Sequence, residues 1–585
     1  MFAEYSYIIV ISLIIDKSFH LHITKTGKTG KIDDQNFILN LQLSKSIRLV
    51  WLAMTDVCLM FEVHQPFRLN RNFHSDLLSK GKVTNKDLFD LYFDNTLNRH
   101  VFERAARKCY FPANKIILEQ INKSKRSDKP FKVAYGISGV FLEQCQMWGQ
   151  GLIESFRKLA DTGCVEFLEE TYYHSLASLY GADRSEFLDQ IKMHRQLLKE
   201  LFDYEPTFIE NTELLYNNSI AKTMDELGYK STVTEGIETT LQGRSPNYVY
   251  KAKGYDIRVL LRNYRLSDDI GFRFSSTDWS EHPLDATKYA RWLAESQGQV
   301  IVLFVDYETF GEHHWPEGGI HEFLRYLPEE VNKWHHLNWR NPSEVIQLHE
   351  PVGEVDVFDY KTVSWADIER DISAWVGNPL QNICYDSLKA LEPLVKGIGD
   401  PDLIQLWRYL QLSDHLYYLS MKGGGPGDVH NYFSSMGSPV EAFAVYSRIL
   451  SDLEARVRVE LEKPELAAKR LLRRLPEGMG FTFSYKFVQS SGVTVNSLNE
   501  FYSTLKVVDS SSIAYHIERG DFERWLSQVV GDDELADRIS EVNSSARKLK
   551  GEALRKKILS IVKKRLKQLT EITATDSAKL KKKKH

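Results

Sequence analysis

Cysteines are scarce in this sequence, and their positions do not group them. The chain of 585 residues has five, an odd number with no CxxC pair: Cys58, Cys109, Cys145, Cys164 and Cys384. Such a set predicts neither a disulfide framework nor a cysteine zinc site, and it favours a reducing compartment.

Long hydrophobic runs are also missing. The longest apolar run near the start, residues 7–15, is far shorter than the ~20 residues that a membrane-spanning helix needs. It follows Glu4 and leads into Asp16 and Lys17, whereas a signal peptide has a basic start and a small-residue cleavage site. We therefore expect no membrane span and no export signal, and predict a cytoplasmic protein.

The third absence is an excess of charge. Lys and Arg number 75 against 79 Asp and Glu, and a net charge of −4 argues against a nucleic-acid partner. At roughly 100–200 residues per domain, the length allows two to four domains. Aromatic residues are plentiful at 12%. They suit stacking on sugar rings, but a large core also uses them, so composition leaves both interpretations open.

Short apolar strands alternate with amphipathic helices from residue 57 to 345, which predicts a parallel α/β sheet, closed or open. The number of strands favours a barrel. The predicted strands are Val57–Val63, Lys132–Tyr135, Val165–Leu168, Pro206–Ile209, Lys230–Thr234, Ile257–Leu261 and Val300–Val305.

Three further segments flank this α/β region. Residues 1–56 lack periodicity and are predicted to be an extension that is either disordered or not translated, with Met54 as an alternative start. Residues 346–464 are predicted to form a helical domain. Residues 465–585 are predicted to form a small C-terminal α/β domain with a basic tail, including a strand at Ile513–Ile517.

Acidic, histidine and aromatic residues follow nearly every predicted strand. In α/β barrels the functional residues lie where strands end, so these side chains are expected to converge on one pocket. Glycoside hydrolysis needs two carboxyl groups flanking one bond. From the residues alone, Glu213 and Asp306 cannot be preferred over the other candidates, which are Glu166, Glu235, Asp268 and Glu308.

Four motifs in order make the sequence resemble glycoside hydrolase family 57, a family of α-amylases, 4-α-glucanotransferases, branching enzymes and amylopullulanases. They are H-Q-P (64–66), G-C-V-E-F-L-E-E-T-Y-Y-H-S-L (163–176), N-T-E-L-L-Y-N-N (211–218) and D-Y-E-T-F-G-E-H-H-W (306–315). The resemblance runs from about residue 57 to 460 and is nearest to the archaeal and bacterial α-amylases. It implies an incomplete (β/α)7 barrel followed by a helical region that helps to close the site.

The resemblance also implies roles for residues. Glu213 corresponds to the family's nucleophile and Asp306 to its acid/base. His64, Glu166 and His174 fall on pocket positions, Trp315 on a sugar platform and Asp414 on a substrate contact from the helical region. The third motif departs from the family's usual F-x-N-T-E because one extra residue precedes Asn211. The last 115 or so residues resemble an accessory domain of unknown function.

The implied activity is a retaining, α-amylase-like hydrolysis of α-1,4-glucosidic bonds in starch, glycogen or maltodextrins. Transfer or branching through the same intermediate stays open, as does a non-catalytic glucan-binding role. HExxH-type zinc sites need ligands at i and i+4 on one helix face. The adjacent histidines of the cluster formed by Glu312, His313, His314, Glu317 and His321 are followed by Pro316 and Gly318-Gly319, which does not give such a face. We therefore expect no metal and no cofactor, and predict that His313 hydrogen-bonds sugar hydroxyls or orients Asp306.

Overall fold

The structure is a computed structural model that describes residues 54–74, 84–181, 183–422, 434–476, 478–486, 489–545 and 549–582. Most of the predicted extension, residues 1–53, lies outside the described residues. Its last residues belong to the fold, because the first strand already begins at Thr55.

Seven parallel strands form the centre of the molecule, and each of them overlaps a strand predicted from the sequence. They are β1 (Thr55–Val63), β2 (Val133–Ile137), β3 (Val165–Leu168), β4 (Phe208–Glu210), β5 (Ser231–Glu235), β7 (Arg258–Arg262) and β8 (Val300–Asp306). Four strands had no distinct sequence signal: the short β6 (Tyr250–Ala252), β9 (Leu337–Trp339) and β10 (Glu354–Val355), and the longer β12 (Gln489–Val495).

Pairing links the seven strands side by side in a barrel-like order. β8 pairs with β1, β1 with β2, and β2 with β3, while β4 pairs with β5, and β5 with β7. β3 and β4 are connected by a single β-bridge between Glu169 and Ile209. β7 and β8 pair through Arg262 and Val302 alone. The predicted α/β fold with parallel strands is confirmed.

Strand residues alternate between two cores because successive side chains point to opposite faces of a sheet. In β1, Cys58 and Met60 belong to an inner cluster with Val302 and Phe304 of β8. Val57, Leu59, Phe61 and Val63 pack outward into the much larger core beneath the helices. Burial on both faces explains why β8 reads as a continuous apolar run.

Helices cover the outer face of these strands. The helices of this α/β region are α1 (Leu88–Tyr92), α2 (Asn95–Ala105), α3 (Phe111–Ser124), α4 (Gly139–Trp148), α5 (Gln150–Ala160), α6 (Ser185–Phe202), α7 (Asn218–Glu226), α8 (Glu238–Leu241), α9 (Tyr264–Gly271), α10 (Ala286–Glu295), α11 (Ile320–Asn332) and α12 (Pro342–Leu348).

A helical region follows, as predicted, and packs into the same large core through Trp375, Trp407 and Tyr446. Its helices are α13 (Ser373–Val376), α14 (Pro379–Ile398), α15 (Pro401–Tyr409), α16 (Ser413–Tyr417) and α17 (Pro439–Leu461). Among the helices that the structure describes, none combines the length and apolar character needed to cross a bilayer.

The C-terminal region has its own hydrophobic cluster, built from residues between Ala468 and Leu569. An antiparallel hairpin of β11 (Phe481–Lys486) and β12 packs with helices. These are α18 (Pro464–Leu472), α19 (Leu498–Val507), α20 (Ser510–Arg519), α21 (Asp521–Trp525), α22 (Asp533–Ser545) and α23 (Gly551–Lys582).

The predicted strand at Ile513–Ile517 is wrong, because this segment lies inside α20. Asp509 caps the helix by accepting a hydrogen bond from the Ser511 N–H, and Gly520 ends it in the left-handed conformation. Ile513 and Ile517 are buried on one face at the i, i+4 spacing of a helix. Their β-branched side chains suggested a strand, and a short apolar run does not distinguish the two structures.

Candidate active site

The inward-facing residues at the carboxyl ends of the strands are polar, whereas those deeper in the barrel are apolar. After Cys58 and Met60, the next inward position of β1 is Glu62, which lies in register with Asp306, the last residue of β8. Glu210 and Glu235 end β4 and β5 in the same way. Strand alternation therefore carries several carboxyl groups to one end of the barrel.

A pocket opens at this end, and it brings together six of the residues predicted from the sequence. His64, His174, Glu213, Asp306, His313 and Asp414 all line it. The remaining lining residues are Glu62, Gln65, Pro66, Arg68, Glu308, Trp365 and Tyr418. Asp414 and Tyr418 come from the helical region, so that region forms one wall of the pocket.

Glu213 is held in an unusual backbone conformation. Its φ of 58° lies in the left-handed region, as does that of Leu214 at 54°, and such angles cost on the order of 1–3 kcal/mol for residues other than glycine. The side chain is fixed on both oxygens. Trp365 Nε1 donates to Oε2 at 2.6 Å, and His174 Nε2 lies 3.3 Å from Oε1. This pre-set carboxylate is what a nucleophile requires.

His174 connects Glu213 to a group of buried carboxyls. Its Nδ1 lies 3.1 Å from Glu170 Oε2 and 3.6 Å from Glu62 Oε1. Burial alone would lower the pKa of His174, but the negative charges of Glu62, Glu170 and Glu213 raise it well above the usual range. Burial raises the pKa of the Glu62 carboxyl, and the negative charge of Glu170 raises it further. Burial and the negative charge of Glu62 raise the pKa of Glu210 in the same way.

His64 stacks on His174, with ring centroids 4.0 Å apart. Its Nδ1 lies 2.7 Å from Ser138 Oγ, and its Nε2 lies 2.9 Å from Asp414 Oδ2. Burial and the neighbouring His174 lower the pKa of His64. His64 therefore joins β1 to the helical region across the pocket.

Asp306 follows the apolar run of β8 and enters the pocket half-buried. Glu308, two residues on, is buried and accepts a hydrogen bond from the Tyr110 hydroxyl. Burial and the charge of Asp306 raise the pKa of Glu308 to about 8. At neutral pH the pocket thus presents Asp306 beside a protonated carboxylic acid.

This protonated carboxyl gives a testable dependence of stability on pH. The pKa of Glu308 is higher in the folded state than in the unfolded chain, so ionisation of Glu308 destabilises the folded state. The free energy of unfolding therefore has its full value, as far as Glu308 is concerned, below pH ~4.5, and it falls as the pH rises through about 8. Glu308→Gln keeps a neutral group of the same shape. Between pH 5 and pH 9 the wild type should therefore lose roughly 3–5 kcal/mol more of its free energy of unfolding than the Glu308→Gln variant loses.

Denaturant titrations across this pH range measure the effect. A suitable comparison is Glu166→Gln, because burial raises the pKa of Glu166 only to about 7, which places its midpoint lower. Superimposable pH profiles for the wild type and Glu308→Gln would contradict a protonated Glu308.

The prediction that Glu166 lines the pocket is wrong. Glu166 lies within β3, level with Ala134 of β2, and it is one inward-facing layer below Glu62. Its Oε2 accepts a hydrogen bond from the backbone N–H of Ser343 in the first turn of α12, at the other end of the strands. The residue that matches the motif, Glu166, lies inside β3. Glu170 lies beyond the end of this strand and contacts His174.

Trp315 and most of the neighbouring histidine cluster also lie away from the pocket lining. Trp315 is 60% exposed, with Lys108 Nζ 5.4 Å from its ring centroid. Glu312 pairs with Arg104 at 2.5 Å, His314 Nε2 lies 3.1 Å from the Gly271 carbonyl, and His321 Nε2 lies 2.8 Å from that of Phe310. These residues do not converge on one point, and only His313 reaches the pocket.

Sequence reasoning missed Glu62, Glu170, Glu210 and Trp365. Two of the carboxyls had a usable signal, because Glu62 and Glu210 continue the inward-facing alternation of their strands. Glu170 had no such signal, because it lies beyond the end of β3. Trp365 had none, since it lies in a loop distant in sequence from Glu213.

The sequence is similar to those of known proteins. Residues 58–358 match the sequence model of Glycosyl hydrolase family 57, and residues 450–563 match a family of unknown function (DUF5752). A Methanocaldococcus jannaschii protein named "Putative alpha-amylase" is 46% identical over 413 residues, which are 69% of this chain and 85% of the relative.

A solved structure with a TM-score of 0.50 is similar in fold. A family 57 branching enzyme from Thermococcus kodakaraensis has a TM-score of 0.50 and 14% identity, and the match covers 70% of this chain and 92% of that one. A 4-alpha-glucanotransferase from Thermococcus litoralis has a TM-score of 0.49 and 17% identity, and covers 76% of this chain and 63% of that one.

Proposed function

Because the chain belongs to glycosyl hydrolase family 57, we propose that it hydrolyses α-1,4-glucosidic bonds of α-glucans with Glu213 as nucleophile and Asp306 as general acid/base. The observation that carries this proposal is the pocket in which both carboxyl groups lie. The substrate class is supported by the name of the Methanocaldococcus relative.

Each carboxyl has a distinct task. Asp306 donates a proton to the glycosidic oxygen while Glu213 attacks the anomeric carbon. The bond to the leaving sugar breaks, and the rest of the substrate stays attached to Glu213 as a covalent β-glycosyl-enzyme. Asp306, now ionised, then removes a proton from water, which attacks the same carbon and releases Glu213. Trp365 and His174 keep the Glu213 carboxylate aimed during both steps.

Products from maltoheptaose test the type of reaction. Shorter maltooligosaccharides alone support hydrolysis. A series of products that includes chains longer than the substrate would show transfer rather than hydrolysis. In transfer, a sugar hydroxyl attacks the intermediate in place of water. Binding without any product would support a non-catalytic glucan-binding role.

The stereochemistry provides a second test. Two displacements at the anomeric carbon return the α configuration, so proton NMR of fresh product should show the α anomer before mutarotation. This outcome requires Glu213 and Asp306 to lie about 5–5.5 Å apart across the bond, whereas an inverting pair leaves about 6.5–9.5 Å for water. A β anomer appearing first would rule out Glu213 as a nucleophile.

Trp365→Phe tests how strongly Glu213 depends on its positioning. Phenylalanine keeps a ring against Phe304, whose centroid lies 5.0 Å from that of Trp365, but it removes the N–H that donates to Glu213. A hydrogen bond to a charged group contributes about 1.5–3 kcal/mol, so kcat should fall roughly 10–100-fold. Trp334→Phe, at a partly exposed site, is the matched control. Equal kcat values for the two variants would contradict this role.

A further inference from the structure

A group of buried carboxyls lies directly behind Glu213. Glu62, Glu170 and Glu210 are 2%, 0% and 0% exposed, and each extends from the end of a different strand. Gly136 of β2 makes room for them, because a Cβ added there would lie 2.4 Å from Glu210 Oε2. His174 Nδ1 lies within 4.0 Å of two of these carboxyls, Glu62 and Glu170.

The carboxyl oxygens of this group are poorly satisfied. Within the described part of the chain, neither oxygen of Glu62, neither oxygen of Glu210 and not Oε1 of Glu170 has a hydrogen-bond partner. The carboxyls of Glu62 and Glu210 also lie against each other. When one of these two carboxyls donates to the other, one oxygen of each is satisfied, and three buried oxygens of the group still have no partner. Each buried polar atom without a partner costs about 1–3 kcal/mol, so three such atoms in one place point to a missing ligand.

The positions of three of these side chains suit a metal ion. One atom each from Glu62, Glu170 and His174 lies within 4.8 Å of the other two. His174 Nδ1 is 3.1 Å from Glu170 Oε2 and 3.6 Å from Glu62 Oε1. Ligands that bind Zn²⁺ at about 2.0–2.2 Å in a tetrahedron are about 3.3–3.6 Å from one another. We propose that Glu62, Glu170 and His174 bind one divalent metal ion, with Zn²⁺ the best match to a mixed nitrogen and oxygen ligand set.

The other nitrogen of His174 supports this assignment independently. A metal-bound histidine usually donates its second ring N–H to a carboxylate, which fixes its tautomer and orientation. His174 Nε2 faces Glu213 Oε1 at 3.3 Å, and Nδ1 faces the two proposed carboxylate ligands, with Glu170 Oε2 at 3.1 Å and Glu62 Oε1 at 3.6 Å, so Nδ1 is the nitrogen that would bind the metal. The ion would thereby hold the Glu213 carboxylate through His174. This positioning role rests on the proposed function, whereas metal binding itself does not.

The sequence analysis expected no metal and considered a different set of residues around His313 and His314. The set proposed here combines Glu62 from the end of β1 with Glu170 and His174, which are four residues apart in the segment after β3 and do not lie on a helix. Only the folded structure brings Glu62 next to Glu170 and His174.

Metal analysis of the full-length protein tests the proposal directly. The protein is stripped with a chelator, dialysed against Zn²⁺, passed through a desalting column and assayed for metal by mass spectrometry. About one Zn²⁺ per chain is expected, together with a higher thermal midpoint than the stripped protein has. Glu62→Gln and Glu170→Gln should each lose most of the bound metal and the rise in midpoint.

Two controls separate metal binding from other effects. Glu166→Gln removes a buried carboxyl elsewhere in the barrel and should bind Zn²⁺ like the wild type. Glu213→Gln should lose glucan cleavage but keep the metal, so failure of the catalytic proposal remains distinguishable from failure of this one. Wild-type protein that retains no Zn²⁺ and shows no shift in midpoint would overturn the proposal, even if the variants do not fold. Equal Zn²⁺ retention in Glu62→Gln, Glu170→Gln and Glu166→Gln would also overturn it.

Discussion

Glu213→Gln and Asp306→Asn are each expected to reduce kcat on maltoheptaose by at least about three orders of magnitude, because removal of a catalytic nucleophile or acid typically costs this much or more. An amide in place of the Glu213 carboxylate cannot form a stable glycosyl ester, and an amide in place of the Asp306 carboxyl cannot supply the proton that the leaving oxygen needs. Both replacements preserve shape, so thermal midpoints should change little. Glu322→Gln and Asp161→Asn, at exposed positions, provide matched controls.

The two variants should differ on a substrate with an activated leaving group. The nitrophenolate of a nitrophenyl α-maltoside departs with little help from an acid, so formation of the intermediate in Asp306→Asn should be much faster on this substrate than on maltoheptaose. Glu213→Gln should stay inactive on both. If either variant retains a tenth of wild-type activity on maltoheptaose while folded, its residue does not have the assigned role.

The fold was largely predictable because its strands are buried on both faces. Such strands can be recognised as short apolar runs, as Val300–Val305 can, and each of the seven predicted barrel strands overlaps a strand of the structure. The short strands β6, β9 and β10 lie beside the central set and have only two or three residues each. So few residues give neither a periodicity nor a propensity strong enough to recognise.

The site was predictable only where a motif marked it. Glu213 and Asp306 were selected by resemblance to a family, and the structure places both in one pocket. The prediction for Glu166 failed because a motif gives the order of residues along the chain but does not show where the strand ends. A residue that lies one inward-facing layer deeper than expected has its side chain outside the pocket. Trp365 could not be found, because its contact with Glu213 depends on how the segment after α12 returns over the barrel.

The polar inward-facing residues at the carboxyl ends of the strands also form a charge network, and its disruption should have the largest effect on stability. Arg262 is 2% exposed and donates to Glu235 at 2.9 Å, to Asp268 at 2.7 Å and to the Phe304 carbonyl at 2.8 Å. Arg370 donates to the same two carboxylates, at 2.8 Å and 2.7 Å. The two arginines and two carboxylates balance each other in charge and share their hydrogen bonds.

Arg262→Met is expected to lower the free energy of unfolding by about 3–5 kcal/mol, because it leaves buried carboxylates with half of their positive partners. Arg265→Met is the matched control: Arg265 pairs with Glu238 on the surface, where side-chain exposures of 75% and 66% predict a loss of about 0–1 kcal/mol. Denaturant unfolding measures both. Adding Glu235→Gln to Arg262→Met should recover part of the loss, since it removes one uncompensated charge.

The same variant should also weaken catalysis, because the network supports the residue that holds Glu213. The guanidinium of Arg262 lies 5.2 Å from the ring centroid of Trp365, and Arg370 donates to the Trp365 carbonyl at 2.7 Å. Loss of Arg262 removes one face of the Trp365 site and loosens the 2.6 Å bond to Glu213, so kcat should fall at least about tenfold at temperatures where the variant is folded. A variant that loses stability but keeps wild-type kcat would show that Trp365 is held by Phe304 and Arg370 alone.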